Sequence, residues 1–164
     1  MQHFILYSIH DISVLTTLQV AYVYDIQWIV NTLMKLPPLL QFSVNSTRKI
    51  TLNDVTVSSR SLIRLFQRYG IAAEKSQSVL TYILLQDCNE VSDDLLTTLT
   101  TIKPLREIAL HSLINISTSG INNVIIKLFK QLTSVQLVDM DSVTDSIILA
   151  LGDFKELTRL KLHN

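Results

Sequence analysis

The chain carries a single cysteine, Cys88, so no disulfide can form within it, which fits a reducing compartment. Glycine is almost as scarce. Three glycines leave little material for a loop that cradles phosphate, and no P-loop, GxSxG or GxGxxG motif occurs. The four histidines, His3, His10, His111 and His163, show no short spacing to cysteine or acids of the kind that holds a metal. Neither sign of charge is in excess, with Lys plus Arg and Asp plus Glu at 14 each. A balanced chain lacks the basic field that nucleic acid or an anionic membrane surface needs in an obligatory partner. No run approaches the ~20 apolar residues of a membrane span. The N-terminal stretch MQHFILYSIHDISVL has no Lys or Arg ahead of its apolar residues and is broken by His10-Asp11, so no signal peptide is read there. Without one, the glycosylation-like triplets at Asn45 and Asn115 carry no weight. The expectation is an intracellular protein, cytoplasmic or nuclear, with no cofactor, no metal, no nucleic-acid partner and no membrane partner.

Apolar residues are what the chain has in quantity. At 48% hydrophobic against 17% charged, 164 residues are enough for one well-filled domain. Those residues are periodic. LTYILLQDCNEVSDDLLTTL starts at Leu80, LREIALHSLINISTSGINNV at Leu105, LTSVQLVDMDSVTDSIILAL at Leu132 and LTRLKLHN at Leu157. Positions 1, 4, 6, 9, 12, 16, 17 and 20 are apolar in each full copy, Gly120 being the exception, and the starts are 25, 27 and 25 residues apart. A fixed period of this length points to a solenoid.

Other parts of the chain fall into the same register. VSSRSLIRLF from Val57 aligns with the segments from Val91, Ile116 and Val143. In each, a hydroxyl follows the β-branched residue: Ser58, Ser92, Ser117 and Thr144 are predicted helix N-caps. Behind them lie helical stripes such as Leu62, Leu65 and Phe66, or Ile147, Ile148, Leu151 and Phe154. Gly70 is predicted to stop the first of these helices, with IAAEKSQS extending the loop after it. A looser copy begins at Leu15, with Leu18 and Val20 at positions 4 and 6, and a helical segment that Pro37-Pro38 ends. Phe42 and Val44, then Ile50 and Leu52, are strand-like; they form either a hairpin or one strand of a short degenerate repeat. The expected domain is a single unit over 1–164, irregular over 1–46 and regular over 47–164, its last repeat incomplete.

The pattern LxxLxLxx(C/N)xx(I/L) followed by a return helix resembles a leucine-rich repeat. VSDDLL after Cys88 is similar to the cysteine-containing subclass found in F-box proteins of cullin-type ubiquitin ligases and akin to ribonuclease-inhibitor-like repeats. The resemblance covers 47–164 closely and 15–46 loosely; position 9 is Leu113 and Met140 in the later copies. It implies an α/β solenoid of about five to six repeats, with a parallel β-sheet on the concave side and return helices on the convex side. It also implies a protein–protein interaction module, either a substrate-recognition region of a ubiquitin ligase adaptor or a regulatory or scaffolding repeat protein with no ubiquitin role, and in neither case an enzyme.

On a strand, positions 4 and 6 face one side and positions 3, 5 and 7 the other. Ile83 and Leu85, Ile108 and Leu110, Val135 and Leu137, and Leu160 and Leu162 are therefore the expected inward pairs. The candidate partner-binding residues are outward: Lys49, Tyr82, Gln86, Glu107, His111, Gln136, Arg159 and Lys161, with Tyr82 and Arg159 as anchors of the types enriched in interface hot spots. The opposing reading is an ordinary solvated face, since tyrosine and arginine are common on inert surfaces too. Cys88 and His111 fall in adjacent repeats, but position 9 is an inward slot, where cysteine is ordinarily inert packing. The pairs Asp93-Asp94 and Asp139/Asp141 suit helix starts and turns. At Leu157 to Asn164 the strand stands without its return helix, and a further repeat, a cap or a partner is expected on that edge.

Overall fold

The computed structural model describes residues 17–21, 48–54, 58–75, 78–128 and 131–163. Six five-residue strands alternate, from the second onward, with four helices: β1 Thr17–Ala21, β2 Lys49–Asn53, α1 Ser59–Glu74, β3 Tyr82–Gln86, α2 Asp93–Leu99, β4 Glu107–His111, α3 Thr118–Leu128, β5 Ser134–Val138, α4 Asp145–Gly152 and β6 Arg159–His163. The strands form one sheet in chain order, and every pairing is parallel. Along the sheet, Leu18, Ile50, Ile83, Ile108, Val135 and Leu160 fall in one row, and Val20, Leu52, Leu85, Leu110, Leu137 and Leu162 in another. These rows are the predicted positions 4 and 6. Both edges of β2 are taken, by β1 and β3, so no edge remains for a hairpin. Phe42, Val44 and Val57 lie outside the described residues.

Burial divides the two faces of this sheet. From β2 to β5 the inward rows are at most 2% exposed and pack with the helical stripes in one core, which includes Phe66, Leu96, Ile121 and Ile147. The outward positions are mostly half-buried or exposed. Wound α/β folds cover both faces of a parallel sheet with helices. Among the described residues the helices cover one, an arrangement compatible with a repeat solenoid, in which each unit buries its apolar face against its neighbours.

The turn after each strand repeats as well. Asp54, Asp87, Ser112 and Asp139, at position 8 of successive copies, have φ of 49°, 52°, 52° and 50°. Aspartate tolerates this left-handed region better than most side chains. The turn aims each amide at the next strand: Asp54 donates to the Gln86 carbonyl at 2.9 Å, Asp87 to His111 at 3.1 Å, Ser112 to Val138 at 2.9 Å and Asp139 to His163 at 2.7 Å. At the other end of the strands, the carbonyls of Arg48, Thr81, Arg106 and Thr133 each accept two amides from the following copy. Thr81, Thr133 and Thr158 add a hydroxyl to these carbonyl ladders.

Three local expectations need correction. Gly70 does not stop α1, which runs on to Glu74 with Ala72 and Ala73 buried, so the long repeat lengthens its helix rather than its loop. Gly70 serves close packing instead, since a Cβ there would lie 2.2 Å from Thr101 Oγ1. Of the four predicted caps, Ser58 accepts from the Ser61 amide at 3.4 Å and Ser117 from the Gly120 amide at 3.0 Å. Ser92 and Thr144 make no such bond. Their hydroxyls are engaged by Ser59 and Ser146, which compete with the backbone for the same group. Finally, Ile148 belongs to the predicted packed stripe but is 45% exposed, because among the described residues no later unit packs on it; Leu160, inward on the edge strand, is 47% exposed, as an apolar flank expected on that edge would be.

Gly120, the exception in the apolar pattern, has a cause. Asp93 at the start of α2 accepts from the Ser117 amide at 2.9 Å and from the Ser117 hydroxyl, capping α3 from the preceding repeat. A Cβ on Gly120 would lie 2.0 Å from that carboxylate. Gly120→Ala thus gains about 0.5–1 kcal/mol of helix propensity but displaces a cap worth about 0.5–2 kcal/mol. It is expected to be neutral or destabilising in the wild type and stabilising in an Asp93→Ala background. A denaturant double-mutant cycle reads the change of sign; the same sign in both backgrounds contradicts the cap.

Candidate functional site

The outward side chains form three rows across the sheet. Lys49, Tyr82, Glu107, Ser134 and Arg159 make the first, Thr51, Leu84, Ala109, Gln136 and Lys161 the second, and Asn53, Gln86, His111, Val138 and His163 the third. All eight candidate residues from the sequence therefore share one face. Adjacent members of a row are about 4.8 Å apart, the spacing of hydrogen-bonded strands, so short side chains meet only immediate neighbours while long ones can pass over a small residue.

The first row uses that reach. Lys49 Nζ sits 5.6 Å from the centre of the Tyr82 ring, within cation–π range. Arg159 extends over Ser134, which is 1% exposed, and its Nη2 donates to Glu107 Oε2 at 2.8 Å. The row thus reads cation, aromatic, acid, cation. Burial raises the Tyr82 pKa above its usual value, the Glu107 charge raises it further, and Arg159 opposes both. Tyr82 accordingly stays a neutral hydroxyl at pH 7, an apolar ring with a polar tip.

By register Ser134 and Ala109 face outward, but both are buried. Over Ser134 passes Arg159 of the same row, on its way to Glu107. The usable face is therefore narrower than the alternation alone implies.

His111 lies in the third row. Burial lowers its pKa below the ordinary histidine value, with Lys161 acting in the same direction; Asp139, Asp87 and a hydrogen bond with Gln136 act against it. The imidazole is neutral at pH 7, and its buried Nε2 has no hydrogen-bond partner among the described residues. A histidine whose folded pKa lies below its unfolded value near ~6.5 binds fewer protons when folded. Stability is then full above that value and is lost as the pH falls through it toward the folded value. His111→Gln is expected to flatten the decline in stability between pH 7 and pH 5. An unchanged slope would show that His111 is not the group responsible.

The sequence reading missed the rim of this face. Of the position-8 acids only Asp139 is assigned to a turn from the sequence, which is correct for its backbone. Their carboxylates also act on the site: Asp139 Oδ1 meets His163 Nδ1 at 3.2 Å, and Asp87 Oδ2 accepts from Gln86 Nε2 at 3.1 Å. The signal was present in the run Asp54, Asp87, Ser112, Asp139, followed at the same register by Asn164. These are residue types that tolerate a left-handed turn and recur with the repeat period.

Cys88 does not join His111 in a reactive pair. It is 1% exposed, and its thiol donates to the Gln86 carbonyl at 3.1 Å and toward the Leu52 carbonyl at 3.8 Å. Among the described residues no group of three His, Cys, Asp or Glu side chains is placed to hold a metal, and no helix is long and apolar enough to cross a membrane. A shallow depression of about 360 Å³ lies at the C-terminal end of the face, lined by Gln136, Thr158, Arg159, Leu160 and Lys161. No family model matches the chain, and no curated protein matches it in sequence.

Proposed function

We propose that the chain is a leucine-rich-repeat solenoid whose outward strand face binds another protein. The observation that carries this reading is the in-register parallel sheet, on one side of which all the helices among the described residues pack. It gathers Lys49, Tyr82, Glu107 and Arg159 into one line of mixed polarity. Repeat proteins use such extended faces for recognition, and the arrangement offers a rigid aromatic, a fork of arginine donors and a carboxylate without a catalytic constellation. Gln86, His111, Gln136 and Lys161 set the polar surroundings and hence the choice of partner.

By its resemblance to cysteine-containing repeats, the module is a substrate-recognition region of a cullin-type ubiquitin ligase adaptor. The competing outcome is a scaffold with no ubiquitin role. Capture from cell extract on the full-length gene product separates the two. Recovery of cullin adaptors supports the ligase reading, and a full open reading frame without an F-box contradicts it.

A further inference from the structure

We infer that the outward face across β2, β3 and β4 seats an amphipathic helix of the partner, laid along the strands. Its acidic end lies over Arg48 and Lys49 and its basic end over Asp54 and Asp87. This rests on the proposal above that the face binds a protein, and adds the partner's secondary structure and the order of its charges. The two ends of these strands differ in sign. No Lys or Arg occurs in 53–59, 86–98 or 111–126, the stretches that leave β2, β3 and β4. Asp54 and Asp87 stand there in the repeated left-handed turn. Asp87 Oδ2 accepts from the outward Gln86 at 3.1 Å, which puts its carboxylate on the rim of the face. At the other end Arg48 and Lys49, both exposed, open β2. Arg106, exposed and tied to the Lys103 and Leu105 carbonyls, adds positive charge before β4. Among the described residues none of these five charges is in an ion pair, while Glu107, the acid at the cationic end, is taken by Arg159. Lys49 keeps its charge over the Tyr82 ring.

Between the charged ends lie Thr51, Leu84 and Ala109, a row without charge, with the Tyr82 ring beside Leu84 on β3. An occupant must therefore be apolar in its middle and oppositely charged at its two ends. Backbone chemistry selects a helix. The amides and carbonyls of β2, β3 and β4 serve ladders to a neighbour on each side, so the face offers side chains and no backbone partners. An extended segment pressed flat on it would leave its own amides and carbonyls short of partners, whereas a helix satisfies them internally. Parallel sheets are ordinarily covered by helices on both faces, and among the described residues the helices pack on the other one. The dimensions agree. Lys49 to Asp54 spans roughly 17 Å along a strand, the length of about eleven helical residues. A helix about 10–12 Å across covers three strands spaced about 4.8 Å apart.

The test is an NMR titration of the 164-residue chain at low salt. The probe is the peptide Glu-Glu-Ala-Leu-Ala-Ala-Leu-Leu-Ala-Ala-Leu-Ala-Lys-Lys, held helical by a staple on its polar side. Its controls carry Glu-Glu, or Lys-Lys, at both ends of the same stapled core. The charge-segregated peptide is expected to bind roughly tenfold tighter than either control, since each control exchanges attraction for repulsion at one end. The preference should shrink as salt is added. A nitroxide on the Glu end should broaden the Lys49 amide, and one on the Lys end the amides of Asp54 and Asp87. Arg48→Glu with Lys49→Glu should turn the preference to the peptide with Lys-Lys at both ends; both positions are exposed, so the variant folds. Asp54→Asn with Asp87→Asn retains a residue that tolerates the turn and should remove most of the advantage over the Glu-ended control. Equal affinity for the three peptides, with shifts on the outward strand positions, overturns the charge order and leaves the face as a binding surface. Shifts confined to the helices overturn the inference and count against the face itself. Absence of binding by every peptide also overturns the inference, as do shifts at Tyr82 and Leu84 that grow with protein concentration alone, which would make a second copy the occupant.

Discussion

Leu110→Ala is expected to lower the stability of the chain by about 2–5 kcal/mol, the range for truncating a large side chain in a packed core. Leu110 is 2% exposed and lies in the row between Leu85 and Leu137. Its neighbours in that row are held by the ladders on both sides, so they cannot collapse into the space it leaves. The same change at Leu160 makes the informative contrast. Leu160 occupies an inward position but is 47% exposed, so truncating it should cost about 1 kcal/mol, near half the value of full burial. With total stability in the usual range of about 5–15 kcal/mol, only the first variant should shift a denaturation midpoint severely. Similar costs at the two positions would mean that Leu110 is not interior, or that Leu160 is covered.

The second large effect concerns binding. Tyr82→Ala combined with Arg159→Ala is expected to weaken capture of the partner at least about 30-fold, since truncating a hot-spot side chain costs about 2 kcal/mol or more. Stability should barely change. Within the chain the double variant removes one cation–π pair, worth about 0.5–1 kcal/mol, and one exposed ion pair, worth about 0–1 kcal/mol. Arg159 is largely exposed, which keeps its contribution to folding at the low end. Partner capture and thermal melting of the same preparation separate the two effects. Undiminished capture by the double variant would move the binding surface off this row.

The repeat was legible in the sequence because it rests on side-chain chemistry that burial enforces. Leucine, isoleucine or valine at positions 4 and 6 of every copy left a single register, and the rows from Ile50 to Val135 realise it. What escaped depends on where one repeat meets the next. Gly70 looked like a helix stop because glycine often is one, and nothing local announces that Thr101 will lie against it. Gly120 broke the apolar pattern for a reason held in the preceding helix, the Asp93 carboxylate. The candidate face was legible as a set of outward residues. Which of them touch was not, because Arg159 reaches Glu107 by crossing the buried Ser134 on the strand between them. The position-8 turn was legible in principle and was overlooked, since its signature lies in backbone tolerance rather than in hydrophobicity.

Both the site and the proposed binding mode depend on the sidedness of the sheet. Single cysteines placed one at a time along the strands read it directly, against a background in which Cys88 is buried and therefore expected to react slowly. Cysteine at the exposed Lys49 or Lys161 is expected to react with a thiol reagent in the native protein at close to its rate in denaturant, and at the half-buried Gln86 or Gln136 more slowly but without unfolding. Cysteine at Leu52, Leu85, Leu110 or Leu137 should react only after unfolding. The reverse pattern, or equal reaction in both sets, would contradict the register and with it the face assigned to binding.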